Sequence, residues 1–212
     1  MQVIEVEQGS DEWKKLREGK LTGTKIGSIY AKSRKADVMF DTSKHLLGFY
    51  ELLAEKLTDS DDLSSGIERG NEMESEALRV ASDELGIDFV HGNVWELDEN
   101  HIESPDGYTK DLKIAIEIKC LSSARHIMAI YEDTPPSEYR TEYANYFLVN
   151  PKLEMLVVYL YDNRFIDEKL RTHYWFVYRK DLAFEIKALK EVKKLVLKEL
   201  KEAQERLERG TQ

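Results

Sequence analysis

Apolar and polar residues alternate along Leu112-Lys113-Ile114-Ala115-Ile116-Glu117-Ile118-Lys119. Leu112, Ile114, Ile116 and Ile118 fall on one side of an extended chain, and Ala115, Glu117 and Lys119 on the other. The pattern predicts a strand over 112–120 with one apolar face and one face carrying charges. Two runs rich in branched and aromatic residues, 153–161 (LEMLVVYLY) and 171–178 (RTHYWFVY), predict further strands. Apolar positions recur at helical spacing over 44–57 and 68–85, with Ile67, Met73, Ala77, Val80, Ala81 and Leu85 sketching the second stripe. The acidic run TDSDDLSSG between them reads as a loop. Ser10, followed by Asp11 and Glu12, suits the cap of a short helix, and another short helix follows Thr22. Pro135-Pro136-Ser137 opens a helix that ends near Asn150-Pro151. Residues 181–208 predict a long amphipathic helix, with Leu182, Ile186, Leu189, Val196, Leu200, Ala203 and Leu207 along one stripe. The elements add up to an α/β (or α+β) chain, a central mixed β-sheet flanked by helices. No repeat, low-complexity tract or Pro/Gly/Ser linker divides the 212 residues, so 1–212 reads as one domain.

Composition narrows the class. The chain is 42% hydrophobic and 34% charged, a globular balance, and no apolar run is long enough to span a bilayer. The opening MQVIEVEQGSDEW has no basic region followed by an apolar stretch and is not a signal peptide. Cys120 is the one cysteine, which excludes an internal disulfide and a cysteine metal cluster and fits a cytoplasmic, reducing compartment. Five scattered His argue against zinc. A net charge of −10 opposes a nucleic-acid partner at first sight, but the charge is uneven. Residues 9–35 carry eight Lys or Arg against three acids, and residues 51–106 carry seventeen acids against three bases. A nuclease needs both zones, cations for phosphates and carboxylates for metal ions.

The chemistry concentrates in Ser104-Pro105-Asp106-Gly107 and the strand that follows. The first four residues form a tight-turn sequence that presents Asp106. A hairpin or bulged turn over 106–112 brings Asp106 beside Glu117, and Lys119 shares a face with Glu117. Two carboxylates held together repel unless a cation lies between them, and Mg²⁺ commonly takes one or two carboxylates plus water and phosphate. The backbone carbonyl of Ile118 is a further candidate ligand. Lys119 beside the metal is placed either to deprotonate water or to stabilise charge at phosphorus. A surface hairpin with a Glu–Lys ion pair accounts for the charges but not for Ser-Pro-Asp-Gly.

Four separated motifs resemble the lambda-exonuclease-like (YqaJ) viral recombination nucleases of the PD-(D/E)xK superfamily, over about residues 9–178. They are GSDEWKKLREGKLTGT at 9–24, GNEMESEA at 70–77, SPDG…EIKC at 104–120 and the Tyr-rich helix at 139–149. The resemblance implies a restriction-endonuclease-like core. It implies Asp106, Glu117 and the Ile118 carbonyl as metal ligands, Lys119 as the catalytic lysine, and Glu74 as a helical carboxylate near the metal. Arg17, Thr24 and Ser104 would hold a 5′-terminal phosphate, and Arg125 would approach the scissile phosphate. Where the family has Gln in a Gln-x-x-x-Tyr pattern, this chain has Glu142, with Tyr146 retained. The implied activity is Mg²⁺-dependent, with Mn²⁺ as a substitute. One strand of linear double-stranded DNA would be degraded processively from its 5′ end, leaving a 3′ overhang for phage-type recombination by strand annealing. A homotrimer, a single-strand annealing protein as partner, and action inside a bacterial host come with it. Other readings are an endonuclease or single-strand nuclease of the same fold, and a DNA-end-binding or helical interaction protein with a degenerate site.

Blander roles stand beside these. Arg17 alone reads as a surface helix residue, Ser104 as a turn initiator, and Glu74, flanked by Glu72 and Glu76, as part of a solvated acidic face. Cys120 is expected in the core as a small residue, and His126 at the surface or facing substrate. The terminal helix is expected to serve packing or an interface rather than a membrane.

Overall fold

A computed structural model describes residues 1–46, 48, 49, 52, 68–121, 123–163, 165 and 167–210. The strands are β1 (Gln2–Ile4), β2 (Ala31–Lys32), β3 (Phe40–Asp41), β4 (Val90–His91), β5 (Val94–Asp98), β6 (His101–Glu103), β7 (Gly107–Tyr108), β8 (Ile114–Lys119), β9 (Met155–Tyr161) and β10 (Thr172–Tyr178). The helices are α1 (Asp11–Arg17), α2 (Gly23–Ile29), α3 (Glu68–Leu85), α4 (Ser123–Glu132), α5 (Arg140–Val149) and α6 (Ala183–Gly210).

The main sheet has the order β10-β9-β8-β7-β4. It is mixed, because β8 and β9 run parallel while the other pairs are antiparallel. A parallel pair needs a crossover, and here it contains α4 and α5. A smaller sheet, β1-β5-β6, adjoins it, and the turn after β6 feeds straight into β7.

Both faces of the main sheet are covered. Ala77, Leu78 and Ala81 of α3 pack on Ile116, Ile118, Val157 and Tyr159. On the other face, Tyr143, Tyr146 and Phe147 of α5 pack on Ala115, Leu156 and Val158, with Trp95 and Tyr108 alongside. A third cluster joins α2, Ala144 of α5 and the apolar stripe of α6 through Leu21, Ile26, Ile29, Leu189, Val196 and Leu200.

The predicted strands and helices that fall within the described residues are present, with ends shifted by a few residues. Ser10 caps α1 by accepting the amide of Trp13, and Thr22 caps α2 by accepting that of Lys25. The charged face of β8 does not meet water: α5 lies over it, so Glu117 is buried. Leu207 is 50% exposed because α6 outruns the core its stripe packs on. The sequence pattern does not mark the helix α4 or the strands β1–β6, which are only two to five residues long. The helix predicted over 44–57 and the acidic loop after it fall mostly outside the described residues.

Leu156 is fully buried at the centre of this sheet. Leu156→Ala removes apolar contacts on the face that carries α5, and should lower the unfolding free energy in urea by about 2–5 kcal/mol.

Candidate active site

Ser104-Pro105-Asp106 is the strip of chain that passes from the small sheet to the large one. Pairing of β7 with β8 stops at Gly107 and Ile116, so the amide of Ile118 lies beyond the ladder. Asp106 takes the place of a strand partner: its Oδ2 accepts from the Ile118 amide at 2.6 Å. In a strand the amide and carbonyl of one residue face the same neighbour, which directs the Ile118 carbonyl to the Asp106 side as well. The other Asp106 oxygen accepts from Gln8 Nε2 at 3.1 Å. Gly107 has no room for a side chain, since a Cβ there would lie 2.7 Å from Leu78 Cδ1.

Glu117 and Lys119 project from β8 beneath α5. Lys119 Nζ donates to Glu117 at 2.5 Å and to Glu142 at 3.1 Å, and sits 4.2 Å from the centre of the Tyr139 ring. The Tyr146 hydroxyl donates to the second Glu117 oxygen and lies 3.2 Å from the Ser104 carbonyl. Glu142 and Tyr146, four residues apart, share the helix face that looks onto β8.

A second group of residues gathers at Ser104. Its hydroxyl oxygen accepts from Arg17 at 2.7 Å and from Trp13 Nε1 at 3.1 Å. With both lone pairs occupied, the hydroxyl hydrogen is what Ser104 has left to offer, a donor suited to an anion. Arg17 stacks on Trp13 with its guanidinium 4.5 Å from the ring centre. Thr24 is exposed at the start of α2, its hydroxyl 3.4 Å from Glu142. It is brought there because α2 presses on α5 through Gly23, where a Cβ would lie 2.7 Å from the Glu142 backbone.

The model of the YqaJ-like viral recombinase domain matches residues 12–150, a span that holds every one of these groups except Gln8. The chain belongs to the YqaJ-like viral recombinase family. Among solved structures, this family member is similar to an alkaline exonuclease from Laribacter hongkongensis at 24% identity and a TM-score of 0.79, over 95% of this chain and 98% of that one. The same exonuclease in complex with dAMP matches at 25% identity and a TM-score of 0.79, with 95% and 98% covered. A phage-related exonuclease from Haemophilus somnus 129PT shares 13% identity at a TM-score of 0.55, over 85% of this chain and 96% of that chain. No curated protein matches in sequence. Family and fold together place the chain among the deoxyribonucleases.

The recombinase-family site is crowded with acids. Burial raises Asp106 well above the usual carboxylate range, and Glu117 and Glu74 add to it, against the Ile118 amide and Lys119. Burial and Glu117 lift Glu74 to about 7. Glu142 rises to about 8, again through burial first and Glu117 second, with Lys119 opposing. Burial alone would push Lys119 down, but Glu117 and Glu142 outweigh it and hold the ammonium well above its ordinary value. The crowding is what a bound cation would relieve. Two buried oxygens, Glu74 Oε1 and Gln8 Oε1, also have no hydrogen-bond partner. Among the described residues no three Asp, Glu, His or Cys side chains are grouped closely enough to hold a metal ion by themselves. All-oxygen donors in an open arrangement suit a hard divalent ion that keeps places for water and phosphate.

Arg125 is not drawn to the carboxylates; it pairs with Glu138 on the exposed side of α4. Cys120 is exposed, at the end of β8 where the sheet cover runs out, rather than a core residue. His126 is fully buried and not at the surface, bonded to the Leu170 carbonyl at 2.9 Å. Gln8, Trp13, Tyr139, Glu103 and Asn145 join the site or its support without having been singled out as site residues. Trp13, Tyr139 and Asn145 lie within the motifs that carry the family resemblance, whereas Gln8 and Glu103 lie outside them.

Raised acids give the pH dependence a definite sign. From about pH 6.5 to 7.5, folded Glu74 and Glu142 retain protons that the unfolded chain has lost. The folded form therefore binds more protons, and stability falls as pH rises through this window. A thermal melt should show this fall, about 2–4 °C per kcal/mol lost, and Glu142→Gln should make it shallower. A wild-type profile that is flat or rising there would contradict the crowding.

Proposed function

We propose that this chain is a Mg²⁺-dependent 5′-to-3′ exonuclease acting on linear double-stranded DNA. The observation that carries the reading is the two-residue link between Ser104 and Asp106. Ser104 belongs to the Arg17 pocket and Asp106 to the carboxylate cluster. Two residues span at most about 7 Å, comparable to one nucleotide of a strand. A terminal 5′-phosphate seated on Arg17, Ser104 and Thr24 thus sets the next phosphodiester at the carboxylates, and each cut releases a mononucleotide. The related alkaline exonuclease has been solved with dAMP, a product of that size.

Asp106, Glu117 and the Ile118 carbonyl, with Glu74 from α3, would hold one or two Mg²⁺ or Mn²⁺ ions. When bound, such an ion acidifies water and offsets charge on the phosphate oxygens. Lys119 keeps its proton at Nζ and presents it where charge develops at the scissile phosphate. Tyr146 fixes one Glu117 oxygen so that the other faces Lys119. Glu142, replacing the amide of the family pattern, holds Lys119 and Thr24 together. Arg125 would exchange Glu138 for a backbone phosphate, an exchange open to an exposed side chain. The 3′ overhang, a homotrimer around the duplex, and transfer of the product strand to an annealing protein follow from the resemblance.

Blunt duplexes labelled separately at each end, with 5′-phosphate or 5′-hydroxyl, test the reading against a closed circle. Label should leave the 5′ ends only, only with Mg²⁺ or Mn²⁺, and the circle should survive. Asp106→Ala should cost at least about 100-fold in rate, and Lys119→Ala about 10²–10³-fold. Cutting of the circle, or first release from 3′ ends, refutes the exonuclease assignment. Separately, Arg17→Ala should abolish the advantage of phosphorylated ends; equal loss on both ends would remove Arg17 from phosphate recognition.

A further inference from the structure

Behind the Arg17 pocket lies a buried chain of charges that the proposed mechanism does not use. Glu103 is 1% exposed and accepts on both oxygens. One takes the amide of Ser104 at 3.2 Å; the other takes the amide of Gly23 at 3.2 Å and the side-chain amide of Asn145. Arg17 stands 3.9 Å from Glu103, beyond hydrogen-bonding reach, while its bond at 2.7 Å goes to the neutral Ser104 hydroxyl. The Asn145 carbonyl oxygen in turn accepts from Lys193 Nζ at 2.5 Å, and the Leu21 carbonyl accepts from the same ammonium at 3.0 Å. Lys193 is fully buried in α6, on the stripe between Leu189 and Val196.

A carboxylate directly under an anion pocket is an electrostatic contradiction. Left unbalanced, Glu103 would repel an incoming phosphate and compete with it for Arg17. A buried lysine is equally costly without a reason. Each resolves the other: Lys193 supplies the balancing charge through Asn145, so that Arg17 is not needed for it. Burial draws Lys193 down to about 8, opposed first by Glu103 and then by Asp98, so it is charged at neutral pH. His101, paired with Asp98 at 2.6 Å, also feels Lys193.

We infer that Lys193, acting through Asn145 on Glu103, is a positioning residue for recognition of the DNA 5′ end. It neutralises the carboxylate beneath the pocket and leaves Arg17 for the terminal phosphate. This rests on the reading of Arg17, Thr24 and Ser104 as the phosphate pocket.

The test is binding at pH 7.0 in EDTA, comparing blunt duplexes with 5′-phosphate and 5′-hydroxyl ends by fluorescence anisotropy. The readout is the affinity ratio between the two ends, which a merely structural defect would not shift. Lys193→Met should lower that ratio about tenfold, and adding Glu103→Gln should restore most of it. An unchanged ratio in Lys193→Met, equal weakening at both ends, or no recovery in the double variant overturns the inference while the pocket stands. If Lys193→Met does not fold, Glu103→Gln alone decides: removing the charge under Arg17 should raise the ratio about threefold, and no rise overturns the inference. A wild-type ratio of one sinks the pocket reading itself, and the inference with it.

Discussion

The hydrogen bond from the Ile118 amide to Asp106 ties two sheets together at the point where β7 stops pairing with β8. Everything around the candidate site depends on it. On one side it holds Asp106 against the strand that carries Glu117 and Lys119. On the other, Ser104 is only two residues upstream and gathers Trp13 and Arg17 from α1. A carboxylate that stands in for a missing strand partner is fixed by backbone geometry, not by a flexible loop, and this is the kind of support a precise constellation needs.

The helix α5 contributes side chains to two neighbouring buried charge systems. Its Glu142 and Tyr146 face β8 and clasp Lys119 and Glu117. Its Asn145, one turn on from Glu142 and turned to the adjacent side, lies between Glu103 and Lys193. Nearly the whole helix is buried, with Tyr143, Ala144, Phe147 and Val149 filling the sheet and helix interfaces between the polar contacts. Each buried lysine is matched to a carboxylate, directly or through an amide, and hydrogen bonds satisfy the charged ends. The acids around Lys119 outnumber it, and that excess separates this side from the balanced one.

Much of this was legible in the amino-acid sequence, and the limits have physical causes. The alternation in 112–120 located β8, and the turn sequence at 104–107 placed Asp106 beside Glu117. Alternation could not tell whether the polar face of β8 met water or a helix, because burial is decided by what packs on it. Lys193 shows the converse. Its position four residues after Leu189 and three before Val196 lies on the apolar stripe of α6, yet a lysine in a charged helix reads as solvated. Only the long-range meeting with Asn145 and Leu21 gives it a place. The two- to five-residue strands β4–β6 were invisible for want of length, and Gln8 reaches Asp106 across 98 positions of sequence that no local pattern spans.

The link between Ser104 and Asp106 differs in kind from the contacts around it. Those contacts are packing and hydrogen bonds, and they loosen with temperature or denaturant. The link is covalent, and a proline at its middle fixes one of its few free torsions. Warming can therefore tilt the two groups relative to each other but cannot carry them beyond the reach of two residues. A scaffold of this sort keeps its measure until the chain unfolds, and only an insertion or deletion at this one place would change it.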